Sequence, residues 1–137
     1  MAENNLIIVD ASVMLKWFLA GEESQEAFEL LERFEDDRIE LMVPPHAFAE
    51  MMNILGMKSP SMALEAFSYL TMLGMIEAQL NLEITARAFE ILKKHKKLSF
   101  YDACYHALAL EYRGTFLTAD KKYFDVAKGF GHISLLA

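Results

Sequence analysis

The sequence predicts an α/β fold: a central parallel sheet of four or five short strands flanked by helices. Two observations carry that expectation. Apolar runs of strand length recur at Leu6–Val9, Glu40–Val43, Thr115–Thr118 and His132–Leu136, and helical periodicity fills the segments between them. Strands and helices that alternate in this way give parallel sheets covered on both faces. No repeat, low-complexity tract or linker interrupts the order. With 137 residues, 54% of them hydrophobic, the chain suits one domain, 1–137, around one core.

Leu6-Ile7-Ile8-Val9 is continuously apolar and ends in Asp10, the pattern of a buried central strand. Ala11 to Leu19 reads as a helix broken by Gly21. Ser24 opens a second helix with Phe28, Leu31 and Phe34 on one face and acids on the other. Glu40–Val43 is a strand stopped by Pro44-Pro45. A helix from about His46 to Leu55, a loop from Gly56 to Pro60 and a helix from Ser61 to Leu73 follow, closed by Gly74. Met75–Leu80 reads as a short strand. Leu82 to His95 and Ser99 to Tyr112 are helical, Thr115–Thr118 is a strand, Lys121 to Lys128 a short helix and His132–Leu136 a last strand.

The single cysteine, Cys104, excludes an intrachain disulfide and fits a reducing compartment. Leu6–Val9 is too short for a secretory signal, and no stretch approaches about 18 uninterrupted apolar residues. A cytoplasmic protein is expected. The net charge of −7 is unevenly spread. Nine of the 20 acids lie between Glu22 and Glu40, whereas Lys93, Lys94, Lys96 and Lys97 flank His95, and Lys121, Lys122 and Lys128 follow near the end. A positive rim on an acidic molecule is compatible with that distribution, so the sum excludes little.

Four acids stand out by context. Asp10 follows the most apolar strand, Glu50 interrupts an apolar helix, Asp102 sits in the first turn after Ser99, and Asp120 ends Leu117-Thr118-Ala119-Asp120. Singly, each has a plain structural explanation. Asp10 and Asp120 suit helix N-caps, Ser99 and Asp102 match a capping spacing, and Glu50 suits solvent. Jointly they gain weight, because open parallel sheets bind ligands beyond the carboxyl ends of their strands. Two carboxylates about 4 Å apart repel by roughly 4 kcal/mol at an effective dielectric near 20. Such a cluster raises its pKa values or holds cations. Hard oxygen donors suit Mg²⁺ or Mn²⁺; one cysteine and scattered histidines do not make a zinc set.

The ordered set resembles a PIN domain, in particular the VapC-type toxins of toxin–antitoxin (VapBC) pairs. The matching pieces are Asp10-Ala11-Ser12 after the first strand, Glu50 with Asn53 three residues on, Asp102 to Ala109 at a helix start, and Thr118-Ala119-Asp120 with Phe124 one position late. The resemblance implies a three-layer PIN-like fold and a divalent-metal-dependent endoribonuclease. Asp10, Glu50, Asp102 and Asp120 would be the metal ligands and catalytic acids. Ser12 and Thr118 would hydrogen-bond ligands or a substrate phosphate, and Asn53 would support Glu50. It also implies two ions roughly 3.5–4 Å apart acting on a phosphodiester. The partners it implies are an RNA substrate, a second copy of the chain and a cognate antitoxin.

Two other classes stay in view: a receiver-like signalling domain, and an inactive PIN-like RNA- or protein-binding module. Val9 before Asp10 and Val43-Pro44 after the second strand lack a receiver's paired acid and middle aspartate, and no acid is missing as inactivity would suggest. His46 with Glu50 and Asp102 with His106 stand at i,i+4, where satisfied or surface histidines are expected. Asp125 reads as a solvated helix residue, and Trp17 and Phe18 as core. Lys93 to Lys97 fit either helix C-terminal charge or a phosphate-holding rim. Six of nine methionines fall between Met51 and Met75, where Phe67, Tyr69 and Leu70 add apolar area suited to a core or an association surface.

Overall fold

In the computed structural model, which describes residues 5–137, the most apolar run lies at the centre. Strand β1 (Leu6–Val9) pairs in parallel with β2 (Glu40–Val43) on one side and β4 (Thr115–Thr118) on the other. The short β3 (Ile76–Glu77) and β5 (Ile133–Leu135) complete a sheet of order β3-β2-β1-β4-β5, parallel throughout. Ile8 and Val9 are fully buried, as a strand covered on both faces requires. Seven helices flank it among the described residues: α1 (Ala11–Met14), α2 (Gln25–Glu35), α3 (Ala47–Lys58), α4 (Pro60–Met72), α5 (Leu82–Lys94), α6 (Phe100–Tyr112) and α7 (Lys121–Ala127).

Helix α6 packs against α5, β1 and β4, and Ala103 through Ala109 are buried without interruption. Alanine at three of those seven positions lets it approach the sheet closely. At its end Arg113 adopts φ 59°, and Gly114 turns the chain into β4. A Cβ on Gly114 would lie 2.7 Å from the Leu6 carbonyl oxygen, so only glycine lets this corner meet β1.

Several boundaries differ from the sequence reading, each for a local reason. The first helix continues only as a 3-10 turn, Leu15–Trp17, and the Trp17 indole N–H ties that turn to the Ala27 carbonyl at 2.9 Å. Trp17 and Phe18 pack against the core. On α2 the buried residues are Ala27 and Leu30, while Phe28 is 38% exposed; small Ala27 is what lets the helix sit close. The loop at Gly56 to Pro60 contracts to Ser59. Helix α3 runs through Gly56 because Ala47, Met51 and Leu55 form a continuous buried face, and the break falls at the residue Pro60 restricts. The strand expected over Met75–Leu80 is a two-residue edge, Ile76–Glu77. The last strand starts at Ile133 because His132, at φ 56°, belongs to the turn.

The strand order locates the crevice. From β1 the chain adds β2 and β3 on one side, then crosses back to add β4 and β5 on the other. The switch lies between β1 and β4 at their carboxyl ends, where open α/β sheets open a binding crevice. A receiver's order, 2-1-3-4-5, differs from this one.

Candidate active site

Register brings the first two acids together. Val9 pairs with Leu117, so Asp10 and Thr118 emerge side by side at the switch point. The Thr118 hydroxyl, fully buried, donates to Asp10 Oδ2 at 2.6 Å and accepts from the Asp120 N–H at 3.0 Å. Ser12 donates to Asp10 Oδ1 and accepts from the Ala119 N–H at 3.0 Å. Asp10 also caps α1 by accepting from the Val13 N–H, and Asp120 caps α7 by accepting from the Tyr123 N–H at 3.1 Å. The N-cap reading of both aspartates therefore holds, and it coexists with a shared crevice.

Asp102 joins from the first turn of α6, whose N-cap Ser99 accepts from the Asp102 N–H at 3.0 Å. Glu50 joins from α3. A cleft of about 120 Å³ is lined by Asp10, Ser12, Glu50, Asp102, Tyr105 and Asp120. Asn53 lies exposed on α3 with no hydrogen bond to Glu50. The residue that holds Glu50 is Tyr105, whose hydroxyl donates to Oε1 at 2.5 Å while its ring stacks on Phe116 at 5.7 Å. His46 stands 3.8 Å from the same carboxylate, its ring edge-on to those of Tyr101 and Tyr105. Asp125 is exposed and paired with Lys121 at 2.6 Å.

The electrostatics show that the acids feel one another. Burial pushes Asp10 up to about 6 despite the bonds from Ser12, Thr118 and Val13, and the Asp102 charge adds to the rise. Asp102 is also raised, chiefly by burial and then by Asp120 and Glu50, against the pull of Ser99 and His46. Burial and the Glu50 carboxylate drive the Tyr105 phenol far upward, which keeps it a donor.

No three His, Cys, Asp or Glu side chains among the described residues form a ready-made metal shell. The donor chemistry nevertheless fits a hard divalent cation: four carboxylates face one cleft, two of them held unfavourably in their ionised form.

Tyr105 was missed in the sequence, although its place one helical turn beyond Asp102 puts both on one face. Tyr123 explains the one-position slip at Phe124. It stands third after Asp120, is buried, and takes the aromatic place in the motif. Its hydroxyl meets His106 Nδ1 at 2.9 Å, and His106 Nε2 meets the Gly131 carbonyl at 2.7 Å, so this histidine is a satisfied core group.

A parallel sheet with an acidic cleft at its switch point defines an α/β protein whose ligand site lies beyond the carboxyl ends of its strands. The sequence matches the PIN domain over residues 7–129, and the chain belongs to that family. Its architecture is shared by solved structures. One is VapC20 of Mycobacterium tuberculosis, described as a sarcin-ricin loop cleaving toxin (18% identity, TM-score 0.68, covering 96% of this chain and 99% of that one). Another is a toxin–antitoxin complex from Klebsiella pneumoniae (18%, 0.72, 96% and 98%). A third is FitAcB from Neisseria gonorrhoeae (17%, 0.61, 96% of each). At these identities the likeness is one of fold. None of the curated proteins matches the chain in sequence. Among the described residues no helix is long and apolar enough to cross a membrane.

Proposed function

We propose that the chain, acting as one domain in the cytoplasm, is a divalent-metal-dependent endoribonuclease and the toxin of a toxin–antitoxin pair. The observation that carries this is the convergence of Asp10, Glu50, Asp102 and Asp120 on one cleft of a PIN domain. Its structural neighbours, a sarcin-ricin loop cleaving toxin and a toxin–antitoxin complex, support the RNA substrate and the antitoxin. An inactive module is disfavoured because the acidic set is complete.

Bound Mg²⁺ or Mn²⁺ would lower the pKa of a water and offset charge on the phosphodiester. This chain's residues fix where that happens. Ser12 and the Val13 N–H hold Asp10 by Oδ1 and Thr118 holds it by Oδ2, which leaves an acceptor position on Oδ2 for a cation in the cleft. Tyr105 holds one Glu50 oxygen and leaves the other free, and the cap of α7 does the same for Asp120. Such orienting bonds to ligands matter nearly as much as the ligands. No histidine is needed as a base.

Purified protein should cleave single-stranded RNA with Mg²⁺ or Mn²⁺, leaving 5′-phosphate and 3′-hydroxyl ends, and should stop on EDTA addition. Asp10→Asn and Asp102→Asn should bring cleavage below detection while the circular dichroism spectrum is unchanged. Full activity in either variant, or cleavage in EDTA, overturns the reading.

A further inference from the structure

Beside the acidic cleft lies a depression of opposite character. Arg87, Glu90, Lys93, Lys94 and Phe130 line a hollow of about 630 Å³, and Lys94 and Phe130 also line an adjoining one of about 160 Å³ with His95, Val126 and Gly129. One wall is the C-terminal half of α5 and the other is the 3-10 turn Lys128–Phe130 that ends α7. The Lys94 ammonium sits over the Phe130 ring at 5.5 Å, and Lys128 over Phe124 at 5.8 Å.

Arg87 and Glu90 pair within the lining, so Lys93 and Lys94 leave the hollow net positive. Glu90 in the lining and Glu111 outside it are paired to Arg87 at 3.5 and 2.8 Å, whereas Lys93, Lys94, Lys96, Lys97 and Lys128 form no ion pair with a described residue. Helix C-terminal charge accounts for Lys93 and Lys94 alone. It does not account for lysines beyond the helix, nor for one on the facing turn.

The hollow is also joined to the cleft. His106, one turn after Asp102 on α6, contacts Phe130 at 6.0 Å and hydrogen-bonds Tyr123, whose N–H is bound by Asp120. His106 thus links the two: one helical turn carries it from Asp102, and its ring edge meets the Phe130 wall of the hollow.

We infer that this hollow binds the single-stranded RNA flanking the scissile bond, with Lys93 and Lys94 holding backbone phosphates and Phe130 receiving a base. This rests on the ribonuclease reading and adds to it the place where substrate is held. Flexible ammonium groups beside an aromatic face are the pairing that single strands require. A lysine resting on a ring moves to an arriving phosphate and uncovers the ring. The site also offers an acidic protein a local place to hold a polyanion, since two unpaired lysines line it.

The test compares Lys93→Gln/Lys94→Gln and Phe130→Leu with the parent chain and with Arg38→Gln, a control at the amino ends of the strands, on the far side of the sheet. Cleavage of an unstructured oligoribonucleotide gives KM and kcat, and fluorescence anisotropy on the Asp102→Asn background gives binding without turnover. The double lysine variant should raise KM about tenfold with kcat nearly unchanged. It should also reduce the slope of log affinity against log salt by about 1.4, two contacts at about 0.7 each. Phe130→Leu should weaken single-strand binding but leave the salt slope alone, and Arg38→Gln should change neither. An unchanged KM and salt slope in a lysine variant that still cleaves overturns the inference and leaves the nuclease reading intact. Equal binding of duplex and single strand overturns the base-receiving role. A parent chain that cleaves no RNA sinks the nuclease reading, while anisotropy still reports separately on the hollow.

Discussion

Tyr105 shows how much of the site is decided one side chain at a time. Its hydroxyl fixes Glu50, 55 residues earlier in the chain, and its ring rests on Phe116 in the core. Tyr105→Phe keeps the ring and removes only the donor, so the fold should persist while Glu50 loses its orientation. Both Mn²⁺ affinity and kcat should fall, by about 10–100-fold. Titration calorimetry with Mn²⁺ beside steady-state kinetics reads this, and unchanged values for both would show that Glu50 needs no such support. The acids themselves were legible from the sequence because each breaks an apolar pattern. Tyr105 was not, because a tyrosine among apolar neighbours looks like any core aromatic until its hydroxyl has a partner. Asn53, three residues from Glu50 in the sequence, lies exposed instead; one turn along a helix places two side chains near each other without making them bond.

The α3–α4 pair is the element with the most unassigned apolar surface. Met57, Leu64 and Met72 are 78%, 83% and 82% exposed, with Phe67 and Tyr69 partly so. We propose that a second copy of the chain covers this hairpin, the same patch on both subunits. Leu70 is buried at 1%, so a charge there would test the core rather than the surface. Leu64→Asp with Met72→Asp is the informative change. Sedimentation at micromolar concentration should show the parent as a salt-resistant dimer and the variant as a folded monomer, because apolar burial drives the association. A parent chain that sediments as a monomer at low and high salt would rule the dimer out. The methionine density was visible in the sequence, but its division into buried Met51 and exposed Met57 and Met72 depends on which face α3 and α4 turn to the core.

At the scale of the whole molecule, the acidic cleft links stability to pH. Asp10 ionises near 3.8 ordinarily and near 6 in the folded chain. Between those values the folded state keeps a proton that the unfolded state has lost. Its contribution is therefore complete below about pH 3.8 and fades as pH rises to about 6, a change of about 3 kcal/mol for a group so buried. Asp102, also raised, acts in the same direction. A divalent cation binds the ionised acids, so Mg²⁺ or Mn²⁺ should restore stability at pH 7 far more than at pH 5. Thermal melts of the parent and Asp10→Asn across this range, with and without metal, measure both effects. The variant should lack much of the pH-dependent loss; identical slopes in the two proteins would show that Asp10 is not strained by its burial.

The sequence by itself determined the strand–helix alternation, the central place of Leu6–Val9, the four acids and the family they belong to. These are written in local patterns: apolar runs, helical spacing, and a charged residue where an apolar one is expected. Only the tertiary structure decided that Val9 lies beside Leu117, which brings Asp10 under Thr118, and that Tyr105 rather than Asn53 holds Glu50. It likewise decided that Lys94 on α5 meets Phe130 across the hollow, with His106 between that ring and Asp102's helix turn. The physical reason is common to all three. Contacts across many residues depend on strand register and helix rotation, which the packing of the whole core sets and no short stretch of sequence contains.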